Sequence, residues 1–288
     1  MTTSLQGTGE PLVVEAEGPS RIIGERLNPS GKERLRRALL DRDWEYIASE
    51  ARSQVAAGAN IIDVNVGAKG VDETSLLPEA VKAVSQAVDV PISIDTRDPS
   101  ALEAALTICP GRPLVNSIGG ETAILENNLS IVAHRSVPVI VLCMGMEGIP
   151  RSAEERLGIA HYVLEAAIKA GIKEDDVVFD PLILTAGADD QAAHVALETI
   201  RLLRKEFPNN SITGGASNVS FGMPARSRLN ACFLTAASVM GMNLPITDPT
   251  IPELRFALLS ADVFLGRDKR SKRFMRFYRQ QGGLSRAP

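Results

Sequence analysis

Short runs of β-branched and other apolar residues alternate along the chain with longer segments that have a helical period. Eight of these runs predict β-strands. They are RIIGE (21–25), NIIDVNV (60–66), PISID (91–95), PLVNS (113–117), PVIVLCM (138–144), DVVFD (176–180), SITGGASN (211–218) and LPITD (244–248). The first seven follow from their own pattern, whereas the eighth is weaker and is placed mainly by the count of the repeat.

The segments between the strands predict helices, because apolar side chains recur three and four residues apart along them. Such faces occur at 44–55, 77–88, 157–168 and 229–240. Two helix starts agree with this pattern. Ser152 and Glu155 have the spacing of a capping box, and Asp98 stands directly before a proline that suits a first helical turn.

Strand–helix units that follow one another in this way predict a parallel sheet. In one chain of 288 residues they close most economically into an α/β fold with a single domain, the (β/α)8 TIM barrel. A doubly wound open sheet is the alternative, but the turn after the first strand is GERLNPSGK, which lacks the G-x-G-x-x-G of a dinucleotide fold. We expect a barrel at 21–280, an N-terminal extension at 1–20 and a C-terminal tail at 281–288.

The two ends of the chain lie outside the repeat. Within 1–20, the stretch LVVEAEGP predicts either a short hairpin that plugs the barrel floor or a loose leader. From Gly266, the sequence GRDKRSKRFMRFYRQQ carries seven basic residues and one acidic residue. Its charge predicts a solvated last helix, with a docking surface for an acidic partner as the alternative.

Composition narrows the classes of function. The net charge is −4, which gives no general attraction to nucleic acid. No apolar run approaches the roughly 20 residues that span a bilayer, and the first residues lack the features of a signal peptide. We therefore expect a cytoplasmic protein that binds neither nucleic acid nor membrane. Cys109, Cys143 and Cys232 are far apart and predict buried, reduced thiols.

Polar side chains gather where the predicted strands end, and in a barrel these ends form the face that carries the chemistry. They are Glu25, Asn28, Asp63, Asn65, Asp95, Asn116, Asp180, Asn218 and, at the end of the eighth strand, Asp248. A single residue of this kind often caps a helix, but so many on one rim indicate a binding site. His134, His161 and His194 all fall in predicted helices, so none is an obvious base or metal ligand.

Two interpretations of the rim remain open on the residues alone. Its carboxylates suit Mg²⁺, a hard cation that prefers oxygen ligands, as in a metal-dependent barrel lyase. The interleaved asparagines favour a flat heterocycle instead, because an amide donates and accepts whereas a carboxylate only accepts. An unpaired ring edge in a buried pocket costs about 1–3 kcal/mol for each group, which provides selectivity.

Several motifs, in this order and spacing, resemble the pterin-binding methyltransferases. They are IIGERLN, DVNVGA, SIDTR, VNS, FDPLIL and SNVSFG followed by Arg226. That family includes the methyltetrahydrofolate:corrinoid protein methyltransferases and the folate module of cobalamin-dependent methionine synthase, and the match covers about 20–280. The resemblance implies transfer of a methyl group between N5 of tetrahydrofolate and the cobalt of a cobalamin-type corrinoid on a partner protein. It also implies a homodimer and no metal bound by this chain.

The resemblance further assigns roles to individual residues. Asp180 is expected to pair with the 2-amino and N3–H edge of the pterin, and Asp95 and Asn116 to contact the remaining ring nitrogens. Residues expected to line or brace the pocket are Glu25, Asn28, Asp63, Asn65, Met144 and Arg226. Asn218 is the predicted catalytic residue, because its amide can donate to N5 without ionising. Phe221 stands three residues after Asn218, where the corrinoid/iron–sulfur protein methyltransferases tend to have a polar side chain. At this position the chain is more similar to methionine synthase.

Dihydropteroate synthases share the barrel and the pterin pocket and are the alternative within this resemblance. They carry N-x-T-P-D-S-F after the first strand, S-R-K after the seventh, and Arg-x-His near the end. The corresponding segments here are GERLNPSGK, ASNVSFGMPAR and SADVFLGRDKR. All three signatures are missing, so the methyltransferase is the prediction.

Overall fold

The computed structural model describes residues 2–68, 70–120 and 122–281. The predicted tail at 281–288 lies outside these ranges apart from Gln281. The strands are β1 Thr3–Leu5, β2 Leu12–Val14, β3 Ile23–Leu27, β4 Ile61–Asn65, β5 Ile92–Asp95, β6 Leu114–Ile118, β7 Val139–Leu142, β8 Val177–Asp180, β9 Ser211–Gly215 and β10 Leu244–Thr247. The helices are α1 Glu33–Leu40, α2 Trp44–Ala56, α3 Glu73–Ala87, α4 Pro99–Ile108, α5 Thr122–Arg135, α6 Ala153–Lys169, α7 Ala192–Glu206, α8 Arg226–Met240, α9 Pro252–Phe264 and α10 Lys272–Gln280.

Strands β3 to β10 form a closed barrel of parallel strands. Closure is made by β10, which pairs with β9 on one side and with β3 on the other, where Ile246 stands opposite Ile23. All eight predicted strands are confirmed, and the open-sheet alternative is wrong because the first and last barrel strands pair. The carboxyl ends of all eight strands therefore meet at one mouth.

The barrel floor is closed by an N-terminal hairpin of β1 and β2, so the first alternative for 1–20 is correct in part. Only β2 comes from LVVEAEGP, and its partner β1 lies earlier in the chain. Leu5 and Val14 from the hairpin pack against inward-facing apolar side chains near the starts of six barrel strands. Those side chains are Ile23, Ile61, Leu114, Ile140, Val178 and Leu244. The larger apolar core lies between the strands and the surrounding helices. This packing leaves the mouth as the end with room for a ligand.

Side-chain caps fix the helix starts that face the mouth. Ser152 and Glu155 form the predicted capping box, in which each side chain bonds the backbone N–H of the other. The Asp98 side chain accepts from two N–H groups of the first turn of α4, and Pro99 begins that helix. Because these caps satisfy N–H groups that a helix leaves unpaired, they set where each mouth loop ends.

The cysteine prediction is correct only in part. In the described chain all three thiols are free, but Cys143 is buried, Cys109 is partly buried and Cys232 is exposed. Cys232 lies on the outer side of α8, beside a surface groove that α8 shares with α9 and α10, so the helix period does not bury it. The three histidines lie in helices, as predicted. Within the described ranges, no helix is long and apolar enough to cross a membrane.

Candidate active site at the barrel mouth

A cavity of about 580 Å³ opens at the mouth, a size typical of small-ligand sites. Its walls are formed by Glu25, Asn28, Ser30, Lys32, Asp63, Asp95, Asn116, Asp180, Gly215, Ser217, Asn218, Phe221, Arg226, Ser227, Asn230, Ile246, Asp248 and Ile251. The structure thus brings together every polar rim residue named from the sequence except Asn65. Of the remaining predicted site residues, Phe221 and Arg226 also line the cavity, whereas Met144 does not.

Asp63 and Asp95 form a pair of buried carboxyl groups on adjacent strands. The Asp63 carboxylate accepts from the Ser93 hydroxyl at 2.6 Å and from the Asn116 amide at 3.0 Å, and it is also bonded to the Asp95 carboxyl group. Burial raises the pKa of both groups, and the charge of Asp63 raises the pKa of Asp95 further. Of the two groups, Asp95 therefore holds a proton more strongly than Asp63 does.

Asn65 and Met144 support the wall from behind. The Asn65 side chain bonds Asp95 and also accepts from the backbone N–H of Gly67 at 2.8 Å, so it orients Asp95 without lining the cavity. The Met144 side chain lies against Gly119, where an added Cβ would stand 3.3 Å from the methionine methyl group. Both placements fit a bracing role.

Asp180 ends β8 and is the third buried carboxyl group of the wall. Its Oδ1 accepts from the backbone N–H of Leu182 at 2.7 Å. Burial raises the pKa of Asp180 to about 6, against the opposing effects of the Leu182 hydrogen bond and the charge of Arg156. At neutral pH this carboxyl group is mostly ionised and can accept from a ligand.

Asn218 lies in a short 3₁₀ turn, Ala216–Ser220, that follows β9 directly. The predicted strand at 211–218 therefore ends early, at its second glycine. A Cβ on Gly215 would stand 2.9 Å from the Asn218 amide nitrogen, so the glycine leaves room for this side chain in its observed position. The Asn218 side chain lines the rim of the cavity and bonds no other residue of the described chain. Its amide is free to donate to a ligand.

Glu25 is the middle residue of β3, the first barrel strand, which extends two residues beyond the predicted end at 25. Its side chain is hydrogen-bonded to the residue next to Asn218. The Ser217 hydroxyl donates to the Glu25 carboxyl group at 2.5 Å. Burial raises the pKa of Glu25 to about 7, although this hydrogen bond and the charge of Lys32 act in the opposite direction. The cavity thus holds a carboxyl group that can exchange a proton near neutral pH.

Arg226 and Phe221 complete the rim beside Asn218. The Arg226 guanidinium donates to the backbone carbonyl of Ser217 at 2.9 Å and to the Ser220 hydroxyl at 3.1 Å, so it fastens the turn. It also lies 5.9 Å from the centre of the Phe221 ring, which is 69% exposed. These contacts make Arg226 a support for the turn that carries Asn218.

Asn28 and Asp248 are engaged with neighbouring residues. The Asn28 side chain accepts from the backbone N–H of Ser30 at 3.0 Å. Asp248 forms an ion pair with Arg26 at 3.1 Å and accepts from Thr250. Across the described residues, no three or more histidine, cysteine, aspartate or glutamate side chains are grouped to hold a metal ion.

Several wall residues were missed by sequence reasoning, among them Lys32, Ser217 and Asn230. Lys32 donates to the backbone carbonyls of Glu25 and Arg26, and the GK pair in GERLNPSGK was its only signal. Ser217 directly precedes the predicted catalytic asparagine. Asn230 lies one turn into α8, where no motif marks it, and its buried amide oxygen has no partner among the described residues.

Comparison with known proteins identifies the family of this chain. A model of the pterin binding enzymes matches residues 24–248. A methylcorrinoid:tetrahydrofolate methyltransferase from Eubacterium limosum is 30% identical over 261 residues, which cover 90% of this chain and 96% of that protein. A methionine synthase from Mycobacterium tuberculosis is 27% identical over 78% of this chain, which corresponds to 20% of that longer protein.

Solved structures extend the comparison at the level of the fold. A dihydropteroate synthase from Yersinia pestis superposes with a TM-score of 0.68 at 17% identity and covers 92% of this chain and 99% of its own. The enzyme from Thermus thermophilus gives 0.66 at 23% identity, over 90% of this chain and 99% of its own. The family match and the Eubacterium limosum relative, which aligns over nearly its full length, assign the family, whereas the solved structures show only the fold. This chain belongs to the family of pterin-binding enzymes and, within it, to the pterin-binding methyltransferases.

Proposed function

We propose that this protein transfers a methyl group between N5 of tetrahydrofolate and the cobalt of a corrinoid that a separate protein carries. One observation supports this most. Asp95, Asn116 and Asp180 lie in the wall of the same cavity that has the unpaired amide of Asn218 at its rim. A ring held in the cavity would therefore have a free donor available beside it.

Recognition of the pterin rests on complementary hydrogen bonds. The 2-amino and N3–H groups of the ring donate, and the ionised carboxylate of Asp180 accepts. The Asp95 carboxyl group lines the cavity and is held by hydrogen bonds with Asp63 and Asn65, so it is fixed for a contact with the remaining ring nitrogens. The Asn116 amide nitrogen is held by Asp63, which leaves its oxygen to accept from the ring. Each of these groups is expected to contribute to affinity because an unpaired partner in a buried site is costly.

Transfer of the methyl group requires N5 to leave as a neutral amine. When the methyl group passes to reduced cobalt, the electron pair of the broken carbon–nitrogen bond stays on N5. Asn218 is positioned to donate a hydrogen bond to this nitrogen as its charge develops, and such a donor is typically worth about 10² to 10³ in rate. Glu25 can supply the proton that N5 finally takes, through the Ser217 hydroxyl or through water.

Dihydropteroate synthase activity is less well supported. The solved synthases share the fold at identities that carry no more than the fold. Their three characteristic segments are missing from this sequence, and the relative at 30% identity is a methyltransferase.

The proposal is tested with purified protein, methyltetrahydrofolate and free cob(I)alamin as the methyl acceptor. Calorimetry is expected to detect binding of methyltetrahydrofolate, and stopped-flow absorbance is expected to follow Co(I) as it becomes methyl-Co(III). Asn218→Ala should slow transfer by about 10² or more. Asn127→Ala, on the exposed face of α5, is the matched control and should react like the wild type. Absence of pterin binding by the wild type would overturn the proposal.

A further inference from the structure

Arg156 lies in the first turns of α6, outside the wall of the cavity. We propose that Arg156 is a positioning residue, which holds the turn after β8 so that Asp180 presents an ionised carboxylate to the pterin. This inference rests on the proposed function, because it concerns how the pterin is bound. It assigns a role in ligand binding to a side chain that does not touch the ligand.

The contacts of Arg156 are unusual for a buried arginine. Its side chain is 2% exposed and donates to the backbone carbonyls of Pro150 at 3.0 Å, Pro181 at 2.8 Å and Leu182 at 2.8 Å. All three acceptors are carbonyl groups, and no carboxylate in the described chain bonds the guanidinium. A buried charge is costly unless it is paired. Arg156 instead ties together the two mouth loops that follow β7 and β8.

The turn that Arg156 holds has a backbone conformation that leucine disfavours. Leu182 has a φ of 63°, in the left-handed region where a side chain is crowded. Arg156 binds the carbonyls at both ends of this residue. In this conformation the Leu182 N–H donates to Oδ1 of Asp180. The other carboxylate oxygen, Oδ2, receives no bond from the described residues and remains available to a ligand.

The charge of Arg156 acts on Asp180 without occupying its oxygens. Burial raises the pKa of Asp180, whereas the Leu182 hydrogen bond and the Arg156 charge lower it. Cys143, whose backbone N–H donates to the Asp180 carbonyl, adds no charge because burial raises the pKa of its thiol. On the neighbouring strand β9, the residue beside Asp180 is Gly214, which has no side chain that could carry a charge. The other ionisable groups of the cavity wall are Glu25, Lys32, Asp63, Asp95, Arg226 and Asp248.

Loss of Arg156 should change how binding depends on pH. The N3–H and 2-amino groups of the pterin need an ionised Asp180, so affinity falls as pH falls through the pKa of this group. The positive charge of Arg156 lowers the pKa of Asp180, so this pKa rises further when the guanidinium is removed. The acid limb of the binding curve is therefore expected to move to higher pH.

The test measures the Kd of methyltetrahydrofolate by calorimetry from about pH 5 to about pH 8, a range that brackets the carboxyl titration. Arg156→Met is expected to move the acid limb upward by about one pH unit and to weaken binding at neutral pH by at least about tenfold. Arg156→Lys keeps the charge but cannot reach three carbonyls in the same way. It should weaken binding while the acid limb stays close to that of the wild type.

Arg204→Met is the matched control. Arg204 also donates to backbone carbonyls, those of Asn210 and Gly241, but these residues precede strands and lie at the barrel floor. Its replacement should lower the Tm and leave the acid limb in place. The same outcome for Arg156→Met would show a purely structural role and overturn the inference.

Two further outcomes decide the remaining cases. If Arg156→Met does not fold, Arg156→Lys alone is decisive, and wild-type affinity in that variant overturns the inference. A wild type that binds no pterin would overturn the proposed function itself, and this result is distinguishable because it involves no variant.

Discussion

The Ser217 hydroxyl donates a 2.5 Å hydrogen bond to the carboxyl group of Glu25, and this bond joins the first barrel strand to the turn that carries Asn218. The two residues are 192 positions apart in the chain. Closure of the barrel makes them neighbours, because β3 and β9 both flank β10. A buried acid is thereby linked to the free amide at the rim.

Glu25→Gln should change the pH dependence of methyl transfer. The pKa of Glu25 is about 7, so the wild-type carboxyl group holds its proton below neutral pH and loses it above. If Glu25 supplies the proton to N5, wild-type transfer from methyltetrahydrofolate slows as pH rises through about 7. General acids contribute about 10² to 10⁴ in rate, so the variant should be slower at low pH and lack this limb.

The measurement is a stopped-flow pH series with free cob(I)alamin at saturating methyltetrahydrofolate. Glu103 is exposed on α4 and lies outside the cavity wall, so Glu103→Gln is the matched control and should keep the limb near neutral pH. A wild-type profile in Glu25→Gln would contradict the assignment of this proton to Glu25.

Glu25 should also make the stability of the fold depend on pH. Its pKa in the folded chain is raised by burial from 4.5 to about 7. A raised carboxyl pKa means that the folded state binds the proton more tightly than the unfolded state does. The contribution is fully present below about pH 4.5 and is lost as pH rises to about 7, by up to about 3 kcal/mol. Urea unfolding at several pH values should show a smaller loss in Glu25→Gln than in the wild type, because the raised pKa values of Asp63, Asp95 and Asp180 leave part of the loss in the variant.

Gly215→Ala should displace Asn218. An added Cβ would stand 2.9 Å from the Asn218 amide nitrogen, so the side chain must move away from its position at the rim. We expect the rate of methyl transfer to fall by about 10-fold or more, because a displaced donor no longer meets N5. The affinity for methyltetrahydrofolate should fall less than the rate.

Gly158→Ala is the control for that substitution. Gly158 lies inside α6 with open space around the added Cβ, and alanine favours a helix by about 1 kcal/mol. The variant should therefore transfer methyl groups normally and unfold at a slightly higher temperature. A Gly215→Ala protein as fast as the Gly158→Ala protein would argue against a placed Asn218 amide.

Much of the fold could be predicted from the chain because a barrel repeats one simple pattern. Each strand is a short apolar run, and each helix buries one face, so seven strands follow from local sequence and the eighth from the count of the repeat. The pairing of β10 with β3 was inferred only because eight strand–helix units in one domain of this length usually close into a barrel. Nothing in the sequence of either strand specifies its neighbour. The end of β9 at Gly215 was missed because a 3₁₀ turn continues the same apolar and small residues.

The candidate site was predicted less completely, for a different reason. Strand ends identify residues such as Asp95 and Asp180, whose position follows from the fold. The raised pKa of Glu25 depends on burial by distant segments, and it cannot be inferred from GERLN. Arg156 sits in an ordinary helix start, and only the folded loops show that it holds the turn behind Asp180.

Asp180→Asn should separate ring recognition from the rest of the site. The substitution keeps the size of the side chain but places an amide donor where the pterin edge also donates. An unpaired or opposed group in a buried site costs about 1–3 kcal/mol, which corresponds to a Kd raised by about 5-fold to 150-fold. Calorimetry with methyltetrahydrofolate measures this change. Asp190→Asn, at an exposed position after β8, should bind like the wild type. Equal affinities for the two variants would mean that Asp180 does not hold the ring.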